Sequence, residues 1–193
     1  ATTSPVTGVA NHLYLAAIMT KPGSPTVKSV TGLGLTWTLL KAQCAGRNQT
    51  RVEVWKAIGT PTGNGVVMAT LSSAPLNAVI LVSRYSGIST TTPIGNIVSA
   101  NTKGVGGVCS GGVDNTSYSV NLTTTVSNAM VYGAIAMRNR SHTPGSGYTE
   151  RAEVMQGSSG DVAGGAVMDR AVTTPAAVTV NGTFSSTVDW AVV

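Results

Sequence analysis

The chain has 193 residues and a formal net charge of +5, yet only 10% of its residues are charged, against about 25% in ordinary globular domains. The basic residues are scattered from Lys21 to Arg170, and only Arg138-Asn139-Arg140 stand close together. That spread excludes the dense basic stripe of a nucleic-acid binder, while 42% hydrophobic residues exclude a disordered polyelectrolyte. The 23 glycines and the abundance of Thr, Ser and Val suit strands joined by turns in one domain with its own core.

Residues 1–10 are polar and carry Pro5. Ala1, Thr2, Thr3, Ser4, Pro5, Val6 and Thr7 read as an arm able to add to a neighbour's sheet, with its own sandwich as the other resting place. Residues 11–193 form the sandwich domain. From Asn11 to Thr20, Leu13, Leu15 and Ala17 alternate with Tyr14, Ala16 and Ile18, the period of a strand. Lys21-Pro22-Gly23-Ser24-Pro25 is a turn, and Thr26 to Val30 a short strand. Gly32 to Ala57 reads as two strands joined by a polar turn. Leu33, Leu35, Trp37 and Leu39 share a face in the first; Val52 and Val54 oppose Arg51, Glu53 and Trp55 in the second. A sheet with one apolar face requires a second layer.

After the turn Thr60 to Gly65, Val66 to Leu71 and Asn77 to Ser86 read as strands. Asn77 to Ser86 and Asn128 to Met137 are apolar on both parities, so both faces are expected to be covered. A loop is the first expectation for that cover; a third layer and another subunit are the others. Ser89 to Asp114, irregular and rich in Gly, is the candidate cover loop. Ser117 to Leu122, Tyr148 to Met155 and Val162 to Ala171 read as strands around the polar Asn139 to Gly147. A terminal hairpin of Ala177 to Asn181 and Ser186 to Val193 turns Val188, Trp190 and Val192 inward. About a dozen strands, no internal repeat and no linker define a single-domain, all-β antiparallel sandwich.

The chemistry-bearing residues are few. Cys44 and Cys109 form the only intrachain pair that could oxidise, the alternative being two thiols. Five sequons, at Asn48, Asn115, Asn121, Asn139 and Asn181, are candidate glycosylation sites. With the disulfide they place the protein outside the cell or on its surface. The start at Ala1 reads as a mature product or as a piece cut from a longer chain, and no apolar run reaches the roughly 20 residues of a membrane span. Only His12 and His142 are available as bases, and Gly107 to Gly112 reads as a Gly-rich loop rather than a nucleophile turn, so no catalytic residue is expected. Glu150 and Glu153 differ in parity and are expected on opposite faces. Asp114, beside Asn115, is a weak calcium candidate and otherwise a turn former; no other cofactor or metal is expected. Trp55, Tyr118 and Tyr148 are candidate glycan contacts, since aromatic faces stack on sugars.

The runs GLGLTWTLL, TRVEVWKA, NAVILVSRYSGI and VNGTFSSTVDWAVV, with Trp37, Trp55, Tyr85, Gly87 and Trp190 as framework, resemble the jelly-roll-like β-sandwich accessory modules of large secreted bacterial proteins, which are similar to carbohydrate-binding modules. The resemblance covers Asn11 to Val193 and implies a jelly-roll-like, extracellular, non-catalytic module. Two functions follow as expectations: a structural subunit that polymerises with itself into a filament or surface layer through β-strand contacts, or an accessory module that binds polysaccharide.

Overall fold

The computed structural model describes all residues, 1–193. The chain is all-β, with fifteen strands and one 3-10 turn at Ser159–Asp161. The first half holds β1 (His12–Lys21), β2 (Val27–Gly32), β3 (Thr38–Cys44), β4 (Arg51–Gly59), β5 (Val67–Leu71) and β6 (Asn77–Tyr85). Two short strands follow, β7 (Ala100–Asn101) and β8 (Gly104–Val105). The second half holds β9 (Asn115–Thr123), β10 (Ala129–Met137), β11 (His142–Pro144), β12 (Thr149–Gln156), β13 (Ala163–Val172), β14 (Ala177–Val188) and β15 (Ala191–Val192).

These strands make four antiparallel sheets, β2-β5, β3-β4-β1-β6, β12-β13-β10-β15-β7-β8 and β11-β14-β9, stacked in that order. Period-two side chains explain the stacking. On β1, Tyr14, Ala16 and Ile18 join Val30, Val67 and Ala69 of the first outer sheet. Leu13, Leu15, Ala17 and Met19, on the other face, join Ala134, Ala136, Ala163 and Val167 of the six-stranded sheet. The far face of that sheet, with Val131, Ile135, Met137 and Met168, joins Tyr118, Val180 and Phe184 of the last layer. The two inner sheets meet through small residues; a Cβ on Gly165 would lie 2.7 Å from Met19 Sδ. The strands apolar on both parities are therefore covered by further sheets, not by a loop. Val79 of β6 faces the inner core while Ile80 and Val82 pack on the outer one.

The two halves repeat each other, which corrects the expectation of no internal repeat. β1 lies between β4 and β6 as β10 lies between β13 and β15; β3 flanks β4 as β12 flanks β13; β2 pairs with β5 as β11 pairs with β14. A bulge falls between Leu39 and Lys41 in one half and between Glu150 and Ala152 in the other. Asn11 (φ 62) and Asn128 (φ 56) each precede the central strand in the left-handed region. Gly32-Leu33-Gly34-Leu35 and Gly145-Ser146-Gly147-Tyr148 are turns closed by the same bond: the Leu35 N–H donates to Gly32 O and the Tyr148 N–H to Gly145 O, although Leu33 (φ 59) is left-handed and Ser146 is not. Gly34 (φ 67) and Gly147 (φ 83) supply the conformation that turn needs.

Local departures from the sequence reading have local causes. Leu33 to Trp37 runs through this turn and forms no strand, and β3 begins only at Thr38. The bulge after Leu39 reverses parity from Lys41 onward, and Leu39 itself, opposite Trp55, is exposed. The expected terminal hairpin is one continuous strand, β14, which β9 and β11 flank; Val188, Trp190 and Val192 do turn into one core.

The N-terminal arm lies beside its own β5, where the repeat places β9 beside β14. Thr2 bridges Met68 and Val6 bridges Gly65. The Thr3 N–H donates to Val67 O, and Val6 and Gly65 exchange both backbone bonds. Tyr14, fully buried, fastens its base: the hydroxyl accepts from the Val9 N–H at 2.6 Å and faces the Thr7 and Val9 carbonyls. Tyr14→Phe is expected to cost about 1 kcal/mol. Amide exchange should quicken at Thr3, Val6 and Val9 while β10 and β13 stay protected; unchanged exchange at Val9 would refute that anchoring role.

Candidate functional site

The halves differ beside their central strands. β6 pairs with β1 over all of Leu13–Lys21, whereas β15 pairs with β10 only at Ile135 and Ala136, and Ala134 exchanges both backbone bonds with Val193. Backbone groups alternate in direction along a strand, so the N–H and C=O of Tyr132 and Met130 point to the same side as those of Ala134. No strand lies beside them there.

A cavity of about 580 Å³ opens along that edge. Leu13, Leu15 and Tyr85 line it from one inner sheet and Val120, Leu122 and Val180 from the outer layer. It thus joins the second and third cores. The segment Ile88–Val98 passes over it, with Ile88 and Ile94 packed on the inner core and Val98 on the outer. Asn96 Nδ2 donates to Thr123 O and fixes that segment to β9. No charged side chain lines the groove, and its rim exposes Ile97, Val126 and Met130. At one end Tyr85 Oη donates to Asp169 Oδ2 at 2.9 Å, and Arg151 Nε donates to both oxygens of that buried carboxylate. Burial first, and the Asp169 bond second, raise the Tyr85 hydroxyl above the usual phenol range, so it remains a neutral donor.

A second polar cluster is buried on its tyrosine and histidine side and half-buried at its glutamates. Tyr118 Oη and His142 Nε2 are 2.9 Å apart, and His142 Nδ1 meets Glu150. Glu153 Oε2 accepts from the His142 backbone N–H at 3.0 Å. The bulge at Glu150 puts both glutamates on one side, correcting the expectation that they face apart. Tyr118 and His142 are buried among Phe184 and Trp190, with ring centroids 5.6 to 5.9 Å apart. Neither residue lines the groove or the polar cleft beside Arg138 and Arg140. The cluster ties β9, β11 and β12 together.

Two of the three candidate glycan contacts are core residues. Tyr118 points inward from the middle of β9, and Tyr148 is buried under the Arg170 guanidinium, 5.8 Å from its ring centroid. Trp55 is half-buried, with Nε1 3.4 Å from Glu53 Oε2. Among the sequons, Asn121 and Asn139 are exposed and Asn48 and Asn181 half-buried. Asn115 is exposed as a residue, but its Oδ1 accepts from Trp190 Nε1. Cys44 and Cys109 are bonded. Asp114, the calcium candidate, pairs with Arg47 at 3.0 Å, and no three His, Cys, Asp or Glu side chains gather where they could hold a metal.

Asp189 carries no sequence signal and is the residue most easily missed. It is fully buried and accepts from the N–H groups of Arg47 and Gln49 and from Thr102 Oγ1, at 3.0 to 3.2 Å. It holds the β3–β4 turn of the first half against the second.

No protein-family model, no curated protein and no solved structure matches the chain. No helix is long and apolar enough to cross a membrane.

Proposed function

We propose that the protein is a non-catalytic structural subunit of an extracellular filament or surface assembly, polymerising through β-strand contacts. The observation that carries this reading is the uncharged, largely apolar groove along β10, whose rim exposes Ile97, Val126 and Met130. Unpaired N–H and C=O groups recruit a further strand, and an apolar rim rewards its burial. The disulfide supports an oxidising, extracellular setting. The purified protein is expected to form polymers that dissociate only in denaturant, seen by negative-stain microscopy and light scattering. Monomers at every concentration would overturn the reading.

A further inference from the structure

β6 is an edge strand: in the sheet β3-β4-β1-β6 only β1 lies beside it. Lys21 O accepts from the Leu76 N–H, so the backbone groups of Lys21 turn toward β6. Those of Met19, Ala17, Leu15 and Leu13 follow at every second residue, and their partners are Val79, Leu81, Ser83 and Tyr85. The N–H and C=O groups of Ala78, Ile80, Val82 and Arg84 therefore face away from β1, and no hydrogen bond within the chain reaches them. Folded proteins blunt such edges with bulges, charges or brevity. In the two inner sheets, β3 and β12 each carry a bulge and charged side chains, Lys41 on one and Glu150, Arg151 and Glu153 on the other. β8 is only two residues long. β6 has none of these guards. Its register against β1 is unbroken, and Asn77 to Ser83 carry no charge.

We propose that this edge is the interface with a second copy of the chain, β6 pairing antiparallel with the partner's β6 about a two-fold axis through Ile80. The inference rests on reading the protein as an assembling subunit and names the surface and its partner. About that axis Ile80 meets Ile80 and Ala78 meets Val82 on either side, so the three uncharged outward residues bond only among themselves. Ile80 and Val82 already pack on the outer core and Val79 on the inner one, and the pairing extends both cores across the axis. The two ends of the strand complement each other. Arg84 is exposed and donates only to Thr7 O. Asp161 is exposed and joins no ion pair, and its carbonyl accepts from Asn77 Nδ2. The Ile80 axis sets Arg84 of each copy opposite Leu76 of the other, at the Asn77 end where Asp161 lies. The contact is isologous and closes on two copies. It supplies the dimer, and a filament grows from that dimer through a different surface.

Ile80→Pro tests the edge, because it removes the outward N–H at the axis and leaves every bond between β6 and β1 in place. That variant is expected to keep the circular dichroism of the unmodified chain and to stay monomeric by light scattering at concentrations where the unmodified chain assembles. The exposed charges give a second test that does not risk the core. Arg84→Glu or Asp161→Arg alone sets like charges together at both ends of the contact and is expected to weaken association about tenfold; the two together are expected to restore it. A folded Ile80→Pro chain that assembles like the unmodified one would overturn the β6 interface and leave the assembly reading standing. A double charge variant no better than the single ones would overturn the Ile80 register. An unmodified chain that is monomeric at every concentration would remove both readings together.

Discussion

Replacing Asp189 by alanine is expected to lower the free energy of unfolding by about 3 kcal/mol, the consequence of stranding buried donors. The carboxylate is inaccessible to solvent and serves three donors, the Arg47 and Gln49 backbone N–H groups and Thr102 Oγ1. Alanine leaves all of them without an acceptor in a space water does not reach. Asp189→Asn keeps the shape but presents one oxygen and an NH2 group, so it should recover part of the loss. The pH dependence separates charge from shape. Burial, opposed by the hydrogen bonds, raises the Asp189 carboxyl above its ordinary 3.8. The folded state therefore holds its proton more tightly than the unfolded state. Stability due to Asp189 falls as pH rises from the ordinary value to the raised one, and is level above it. Urea unfolding across that window should show the wild-type advantage over the non-titrating Asn variant shrinking with rising pH. A constant difference would refute the raised carboxyl.

Removing the disulfide by Cys44→Ser with Cys109→Ser should cost about 4 kcal/mol in the chain-entropy account, given a separation of 65 residues. Hydrogen bonds keep the loop near its place even so. Asn101 Nδ2 donates to the carbonyls of Cys44, Gly107 and Val108, and Gln43 Nε2 donates to Gly107 O. The reduced protein is thus expected to keep its fold with a lower denaturant midpoint; an unchanged midpoint would show that the bond adds nothing. Cys44 lies just before the turn that Asp189 holds, so combining the substitutions should depart from additivity.

Sequence parity located much of the molecule because side-chain direction is set two residues at a time. Leu13 and Tyr14, Val52 and Val54, and Val188, Trp190 and Val192 all fall in cores that their alternation demands. Alternation fails where one residue is inserted without a partner. The bulge after Leu39 shifts the parity of the residues that follow it and the bulge after Glu150 brings two glutamates together, and nothing in those residue types announces either. Tyr118 and Tyr148 lie near turn-forming residues, yet both are buried, Tyr118 by the inward face of β9 and Tyr148 under the Arg170 guanidinium. The repeat is legible in NHLYLAAIMT against NAMVYGAIAM and GLGLT against GSGYT, but only the shared function of those glycines and asparagines in left-handed turns makes such short matches meaningful. The groove left no trace, because it arises from a strand shorter than its counterpart.

The division into halves also orders events during synthesis. Every strand that pairs with β1 to β6, the N-terminal arm included, lies within the first 85 residues. The leading half can therefore complete its ladders while the trailing half is still being made. Until β10 and β13 arrive, the face carrying Leu13, Leu15, Ala17 and Met19 stays bare. At about 5–20 residues per second, that exposure lasts several seconds and is the interval in which a nascent chain is most open to chaperones and to premature association with its neighbours.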